Sequence, residues 1–361
     1  MAYWSLLLLT LGLQVYAQEL PKFKWAGDLR IREQLEKDHD NEARLSTRLR
    51  ARFGLGVQIY PDLRAEIRLA TAKTNRSTNQ SLGDSSEPGM RRRFVGLDLG
   101  YAEWKPAPFA KIYAGRFPQV AFRPGETQII LDDDLTLEGA ALSLEYEVYP
   151  EVKVFAHGGA TYIRENYDNY YSEDLADNNL NFGQIGGGWS RDRYRITIGA
   201  GFYNFTSVQG KNFADLASGG KANGNHVAAA GVVKNPYLPK QIFFDAKVPV
   251  AALDAGVFFE YVHNTETSDP NQAFWTGLSL GQKIWDFQLG YLEVESDATL
   301  ALFTNSDFGN GVTDSRGWVA AGRWKFMKNV SLRITEFVAR TRMDIDDRNY
   351  QRTHLDLSAS F

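Results

Sequence analysis

The sequence predicts an all-β chain closed into a transmembrane antiparallel β-barrel of about sixteen strands, with short turns at one end and long loops at the other. Three observations predict it. Apolar and polar residues alternate with period two in stretch after stretch, the mark of a strand with two unlike faces. Tight turns and long polar stretches follow one another along the chain. The polar parity is rich in arginine and glycine, which suits a wet lumen and not a dry core.

In chain order, the first element is an export signal. The start, "MAYWSLLLLTLGLQVYAQ", carries the apolar run Leu6 to Leu13 and then Val15-Tyr16-Ala17 before Gln18. A small-residue cleavage site after Ala17 makes residues 1–17 a secretory signal peptide, although no Lys or Arg precedes the apolar run. A buried N-terminal helix is the alternative. The run is too short to cross a bilayer as a helix, which needs roughly 20 residues. Residues 18–361 are then a single barrel domain.

The next elements carry the clearest alternation. From Ala43 to Ile59 one parity reads Ala, Leu, Thr, Leu, Ala, Phe, Leu, Val, Ile; the other reads Arg, Ser, Arg, Arg, Arg, Gly, Gly, Gln. A helix would mix both sets on every face, and Gly54 and Gly56 would weaken it. Leu63, Ala65, Ile67 and Leu69 alternate likewise with Arg64, Glu66 and Arg68. The pattern returns at Leu142–Val148, Tyr194–Tyr203, Trp285–Leu292 and Arg352–Phe361. Turn signals at Tyr60-Pro61-Asp62, Lys105–Pro108, Tyr149-Pro150 and Lys328-Asn329 separate some strands. Long polar stretches at Lys73–Arg92, Phe117–Thr136, Arg164–Leu180, Ser207–Asn225 and Ser296–Ser315 separate others. Gly224–Val248 reads as one strand or as a strand plus loop decoration. Tyr60, Tyr101, Trp104, Trp189, Tyr194, Trp285, Trp324 and Phe326 sit near strand ends, as interfacial girdles require. A soluble sandwich would need two apolar inner faces. A closed barrel in lipid leaves no backbone edge unpaired.

Composition narrows the function. The 361 residues contain no cysteine, so disulfide scaffolds, thiolate metal sites and cysteine nucleophiles are excluded. A formal net charge of −4 gives no basic footprint for nucleic acid. None of the five histidines, His39, His157, His226, His263 and His354, sits in a nucleophile or metal-ligand motif, so no enzyme is expected. "GQIGGGWS" (Gly183–Ser190) lacks the Lys-Ser/Thr of a phosphate loop; on a strand its glycines leave room for a bulky neighbour or a partner subunit.

Several segments resemble the "putative porin" family of Gram-negative outer-membrane proteins. "IYAGRFPQVAFRPG" (Ile112–Gly125) and "LDDDLTLEGAALSLEY" (Leu131–Tyr146) resemble the family's Gly-Arg strand end, its third long loop and the entry to the next strand. "FFEYVHN" (Phe258–Asn264), "AFWTGLSLGQK" (Ala273–Lys283) and "ESDATLALFTNSDFGNGVTDSRGW" (Glu295–Trp318) match later strands and the most distinctive loop. Phe361 resembles the C-terminal aromatic assembly signal of outer-membrane proteins. The resemblance implies a trimeric, sixteen-stranded general diffusion porin in outer-membrane lipid, with a third loop folded inward near 117–136.

If the apolar parity meets lipid, the other parity lines the channel: Arg30, Arg32, Arg44, Arg48, Arg50, Arg52, Arg64, Glu66 and Arg68. Centring the turn on Pro61 pairs residues whose numbers sum to 122, so Arg52 faces Ala70, Arg50 faces Ala72 and Arg68 faces Gly54. Small partners avoid opposing like charges. Glu66 lies beside Arg64 and Arg68 and offsets part of their repulsion. Arg116, Arg123, Asp132, Asp133 and Asp134 would belong to the constriction loop, its carboxylates facing the arginine wall. Charges lining a constriction set ion preference, and low-dielectric walls strengthen the field. The expectation is passive diffusion of ions and small hydrophilic solutes, weakly anion-preferring, without a cofactor. Three further readings stand beside it. The arginines could serve only to hold the loop. Asp132–Asp134, or Asp307 with Asp314, could bind a cation. The barrel could be a non-conducting structural or adhesin-like display of loops.

Overall fold

The period-two segments all form strands in the computed structural model, which describes residues 21–72, 77–83, 90, 92–166, 176–229, 231–268 and 270–361. The signal segment 1–17 lies outside the described residues. Along the chain run β1 (Lys22–Asp38), β2 (Arg44–Tyr60), β3 (Leu63–Ala72), the two-residue β4 (Gln80–Ser81), β5 (Phe94–Ala107), β6 (Ala110–Pro118), β7 (Thr136–Tyr149), β8 (Val152–Arg164) and β9 (Asn178–Arg191). They continue as β10 (Tyr194–Thr206), β11 (Pro239–Val250), β12 (Leu253–Asn264), β13 (Gln272–Gln282), β14 (Trp285–Val294), β15 (Ser315–Met327), β16 (Val330–Thr341) and β17 (Arg348–Ser360). Sixteen of them form a ring of antiparallel neighbours; β4 lies outside it and, among the described residues, pairs with β2 alone. β1 pairs β17 from Asp28↔Ser360 to Asp38↔Tyr350, which closes the cylinder. Closure removes the unpaired edges that lipid could not hydrogen-bond.

Two-residue turns at 61–62, 108–109, 150–151, 192–193, 251–252, 283–284 and 328–329 share one end with the start of β1 and the end of β17. The other end carries eight connections, called here L1 (39–43), L2 (73–93), L3 (119–135), L4 (165–177), L5 (207–238), L6 (265–271), L7 (295–314) and L8 (342–347). The ambiguous region is a strand plus decoration. β11 begins at Pro239, and L5 folds on itself around the short helix α1 (Phe213–Leu216), which Asn212 caps by accepting from Ala214 N.

The two parities separate as expected. Ile67, Ile198 and Leu278 are 56–62% exposed on the outer wall, while Arg32, Tyr203 and His354 are buried on the inner one. Tyr60, Trp104, Tyr194, Trp324 and Phe326 are exposed beside the two-residue turns, and Trp189 and Trp285 are half-buried there. Tyr101 departs from the girdle. It faces inward, where its hydroxyl donates to Glu66 Oε2 at 3.2 Å and its ring meets Tyr113.

The β2–β3 register follows the sum-of-122 rule from Gln58↔Arg64 to Arg52↔Ala70, with a bulge closing the turn at Tyr60↔Leu63. Arg68 faces Gly54 as expected, but Arg50 does not reach Ala72. There β3 turns away: Thr71 Oγ1 accepts from Ala51 N, and β4 takes the place beside β2. At the root of L3, Gly115 (φ 114°) lies opposite Gly139 (φ 147°), and a Cβ on either would meet a backbone carbonyl oxygen at 2.3 Å. Only glycine accepts both the dihedral and the approach.

Candidate functional site

L3 leaves the wall and runs into the lumen. Its Phe122 packs between Phe155 of β8 and Phe243 of β11, with ring centroids 6.2 and 5.5 Å away. Those two rings lie over Gly186 and Gly199, which face each other across β9 and β10. The glycine run of "GQIGGGWS" therefore serves bulky neighbours, here the seat for L3. Gln184 clamps the Phe122 backbone at both ends, accepting from N at 2.7 Å and donating to O at 3.0 Å. At the tip, Gly125 N donates to Asp245 Oδ2 at 2.9 Å, and Gly125 O accepts from Trp275 Nε1 and Gln288 Nε2 at 3.1 and 2.8 Å. Thr127 Oγ1 donates to the buried Glu260. L3 is thus fixed across β8–β14.

L7 folds in beside it. Asp132 N donates to Phe303 O at 2.7 Å, Asn305 N to Gln128 O at 3.0 Å, and Ser306 N to Asp132 Oδ2 at 2.7 Å. L7 is held to L5 through the buried Asp297, whose carboxylate accepts from His226, Asn235 and Tyr237.

What stays open is a cavity of about 550 Å³ between L3 and the wall of β1, β2 and β15–β17. Arg30, Arg32, Arg50, Arg123, Arg323 and Arg333 line it with Glu126, Asp133, Asp134, Asp307 and Asp356. Most of the arginines stand on the wall; three of the carboxylates stand on L3. Asp134 Oδ1 is 3.9 Å from Arg50, and Asp134 Oδ2 accepts from Asn79, which also holds Arg30. Below, towards the short turns, a second cavity of about 410 Å³ is lined by Asp28, Arg50, Arg52, Arg64, Glu66 and Arg68. Asp28 bridges Arg50 and Arg52 at 3.0 and 2.7 Å.

The sequence-predicted residues divide accordingly. Arg30, Arg32 and Arg50 reach the first cavity, called the eyelet from here on; Arg52, Arg64, Glu66 and Arg68 line the second, in the lower lumen. Arg48 is half-buried above them, and Arg44 is exposed at the loop end opposite Glu36. Glu66 pairs with Arg64, whereas Arg68 is taken by Asp98 at 2.6 Å. Of the loop residues, Arg123, Asp133 and Asp134 line the eyelet. Asp132 is buried behind it, where burial and then its neighbours Asp133 and Asp134 push its carboxyl up to about 7. Arg116 does not belong to the loop: it is a β6 residue, paired with Glu138 and donating to Asp98 O. The small-partner expectation fails on the other side of β2, where Arg30 faces Arg50 and Arg32 faces Arg48.

Asp132–Asp134 form a turn and not an extended stretch, so their carboxylate oxygens do gather within 4.8 Å of one another. Asp134 is engaged by Asn79 and Arg50, and Asp132 by backbone amides. Asp307 and Asp314 have separate partners: Asp307 enters the arginine wall, and Asp314 accepts from Asp344 N.

Sequence reasoning missed Asp356, Arg323, Arg333, Arg352 and His354 as lining or wall residues, and it named Asp307 only as a possible cation ligand. Asp307 Oδ1 meets Arg352 NH1 at 3.1 Å, and its Oδ2 meets Arg32 NH1 at 3.2 Å and His354 Nδ1 at 3.8 Å. Burial alone would raise this carboxyl, but His354, Arg32, Arg352 and Arg48 outweigh it and hold the group well below the usual carboxylate range. The signal for part of this set was present: in a closed barrel the last strand lies beside the first, which brings Asp356 against Arg32 at 2.6 Å.

A family model described as "Putative porin" matches residues 30–230 and 250–361. Among solved structures, OprB of Pseudomonas putida is similar with a TM-score of 0.59 at 10% identity, covering 94% of each chain. OmpF of Salmonella typhi, in complex with daunomycin, gives 0.54 at 13% identity over 94% of this chain and 97% of that one. The trimer form of OmpT from Vibrio cholerae gives 0.51 at 11% identity over 95% and 100%. At such identities the likeness shows the fold. No curated protein shows significant sequence similarity to the chain.

Proposed function

The chain belongs to the family described as "Putative porin", and from that membership we propose a water-filled outer-membrane channel for passive diffusion of ions and small hydrophilic solutes. The observation that carries the reading is the open cavity between L3 and the arginine wall. Opposed charges across such a gap give a transverse field, which low-dielectric walls strengthen. Six arginines against five carboxylates line the eyelet, a surplus of one positive charge that favours anions weakly. Arg30, Arg32 and Arg50 carry the cationic side and Asp133 and Asp134 the anionic side; Arg52, Arg64, Glu66 and Arg68 continue the track below.

Export by cleavage after Ala17, a trimeric assembly like that of the OmpT trimer form, and an assembly role for Phe361 belong to the same reading. Phe361 closes the ring by exchanging backbone hydrogen bonds with Gly27, both at 3.0 Å.

The test is planar-bilayer recording of the purified protein. A stable conductance step is expected, with a reversal potential slightly on the anion side in a potassium chloride gradient. Replacing Arg30, Arg32 and Arg50 with Gln moves it to the cation side. A folded barrel without conductance overturns the channel, and an unmoved reversal potential overturns the assignment of these residues.

A further inference from the structure

Asp307 occupies a site on the barrel wall that it does not itself build. Arg32 of β1, Arg48 of β2 and Arg352 and His354 of β17 surround it, and the loop inserts one carboxylate among them. We propose that this is a subsite for carboxylate-bearing solutes, and that L7 keeps it filled with Asp307 as a tethered competitor. The proposal rests on the channel reading and names the class of solute that the channel favours: small organic acids.

Three features support it. The first is charge. Arg32, Arg48 and Arg352 stand against Glu36, which takes Arg352 at 3.2 Å, and Asp356, which takes Arg32 at 2.6 Å. Three cations against two anions leave one positive charge, and Asp307 brings the site to neutrality. A free monoanionic carboxylate would do the same. Guanidinium groups on either side suit a carboxylate's two oxygens, as Asp307 demonstrates with Oδ1 on Arg352 and Oδ2 on Arg32.

The second is unused donor capacity. Among the described residues, Arg48 Nε, Arg352 Nε and His354 Nε2 are buried without a hydrogen-bond partner, and Arg352 and His354 are 3% and 1% exposed. Buried polar groups without partners are rare and costly, and the two guanidinium Nε–H groups can only donate, so the site has been shaped for more acceptor atoms than one loop carboxylate supplies. The third is access. The Asp307 side chain is 30% exposed, and Asp307, Arg32, His354 and Asp356 all border the eyelet cavity. A solute passing the eyelet can therefore reach the place Asp307 holds.

A tethered group competes at an effective concentration in the millimolar range, so removing it should unmask the site. The experiment titrates succinate by calorimetry into Asp307→Ala, into wild type and into Asp307→Ala with Arg352→Gln, all folded in detergent. Succinate should bind Asp307→Ala about tenfold or more tightly than wild type, and the added Arg352→Gln should abolish the gain. If L7 needs the bulk of residue 307 to fold, Asp307→Asn keeps the shape, removes the charge and should give the same ordering. Equal binding by wild type and both single variants, or binding that survives Arg352→Gln, overturns the site. Chloride conductance of the same preparations is recorded separately. Binding as expected in a barrel that passes no chloride upholds the subsite and removes the channel reading instead.

Discussion

Arg30 and Arg50 face each other directly across β1 and β2, and one step nearer the loops Arg32 faces Arg48 in the same way. Like charges directly opposed weaken a sheet, and here acids from the same strand, the last strand and two loops are threaded through the ladder. Asp28 enters from β1 itself, Asp356 from β17, Asp134 from L3 and Asp307 from L7. The arrangement gives the wall two roles at once. The arginines hold both inward loops in place, and the charges left facing the cavity are the ones from which the channel reading takes its field.

Asp28 is the acid on which the lower half of the ladder depends, since it touches both Arg50 and Arg52. Asp28→Asn leaves two half-buried guanidinium groups side by side with no counter-charge between them. Hydrogen bonds to charged groups contribute about 1.5–3 kcal/mol, and a loss of about that size is expected in guanidinium unfolding of the detergent-folded barrel. Arg52→Gln in the Asp28→Asn background should recover part of it. Two variants that lose stability additively would show that the residues do not interact.

Gly186 tests the seat of L3. A Cβ there would come within 2.3 Å of the Phe155 ring and 2.6 Å of the Ile198 carbonyl. Overpacking of this kind costs about 1–3 kcal/mol, and relief comes most easily by lifting Phe155 and Phe122 from the wall. Gly186→Val should therefore loosen L3, raising single-channel conductance and its current noise, while Gln184→Ala does so more mildly. An unchanged conductance in a folded Gly186→Val barrel would mean that L3 is held by its tip alone.

Phe361 exchanges two backbone hydrogen bonds with Gly27 and packs its ring near Phe53, centroids 6.5 Å apart. Net contributions of about 0.5–1.5 kcal/mol per hydrogen bond predict modest destabilisation when it is deleted. Its larger effect should be on assembly yield, measured as the fraction of heat-modifiable folded protein in outer membranes. Phe361→Ala, which keeps the backbone pairs, separates the two: low yield with near-normal stability marks the ring as the signal.

What could be read from the sequence was what parity and register control. Period two assigns every side chain of a strand to a face, and an even sum across Pro61 placed Arg68 opposite Gly54 without any structure. Loop insertion could be expected for L3 from the resemblance, but the partners of each arginine could not. Arg32 finds Asp307 at a separation of 275 residues and Asp356 at 324. No local pattern encodes such pairs; they follow from closure of the ring and from where two loops come to rest. Tyr101 shows the same limit from the other side. Its nearness to a strand end suggested a girdle, and only the pairing Glu66↔Tyr101 reveals that it points inward.

Asp132 makes the channel's charge depend on pH. Burial is the largest cause, and the neighbours that face it, Asp133 and Asp134 on its own loop and Asp307 on L7, are all acidic and add to it, so its carboxyl is pushed up to about 7. The folded group holds its proton between the ordinary carboxylate range and about pH 7, whereas the unfolded group has already lost it. The folded state therefore binds more protons in that window, and stability falls as pH rises through it. Above pH 7 the folded carboxyl is ionised as well, and the dependence flattens. Ionisation also adds a negative charge behind Asp133 and Asp134, so the reversal potential should drift towards cations as pH rises through 7. Asp132→Asn keeps one acceptor, for Ser306 N, gives up the oxygen that accepts from Asp134 N and removes the titration, so it should abolish both the drift and the stability slope. Asp307 gives the internal control: its carboxyl lies far below this range, so Asp307→Asn should displace the reversal potential by the same amount at pH 5 and pH 8. A drift that persists in Asp132→Asn would place the titrating group elsewhere.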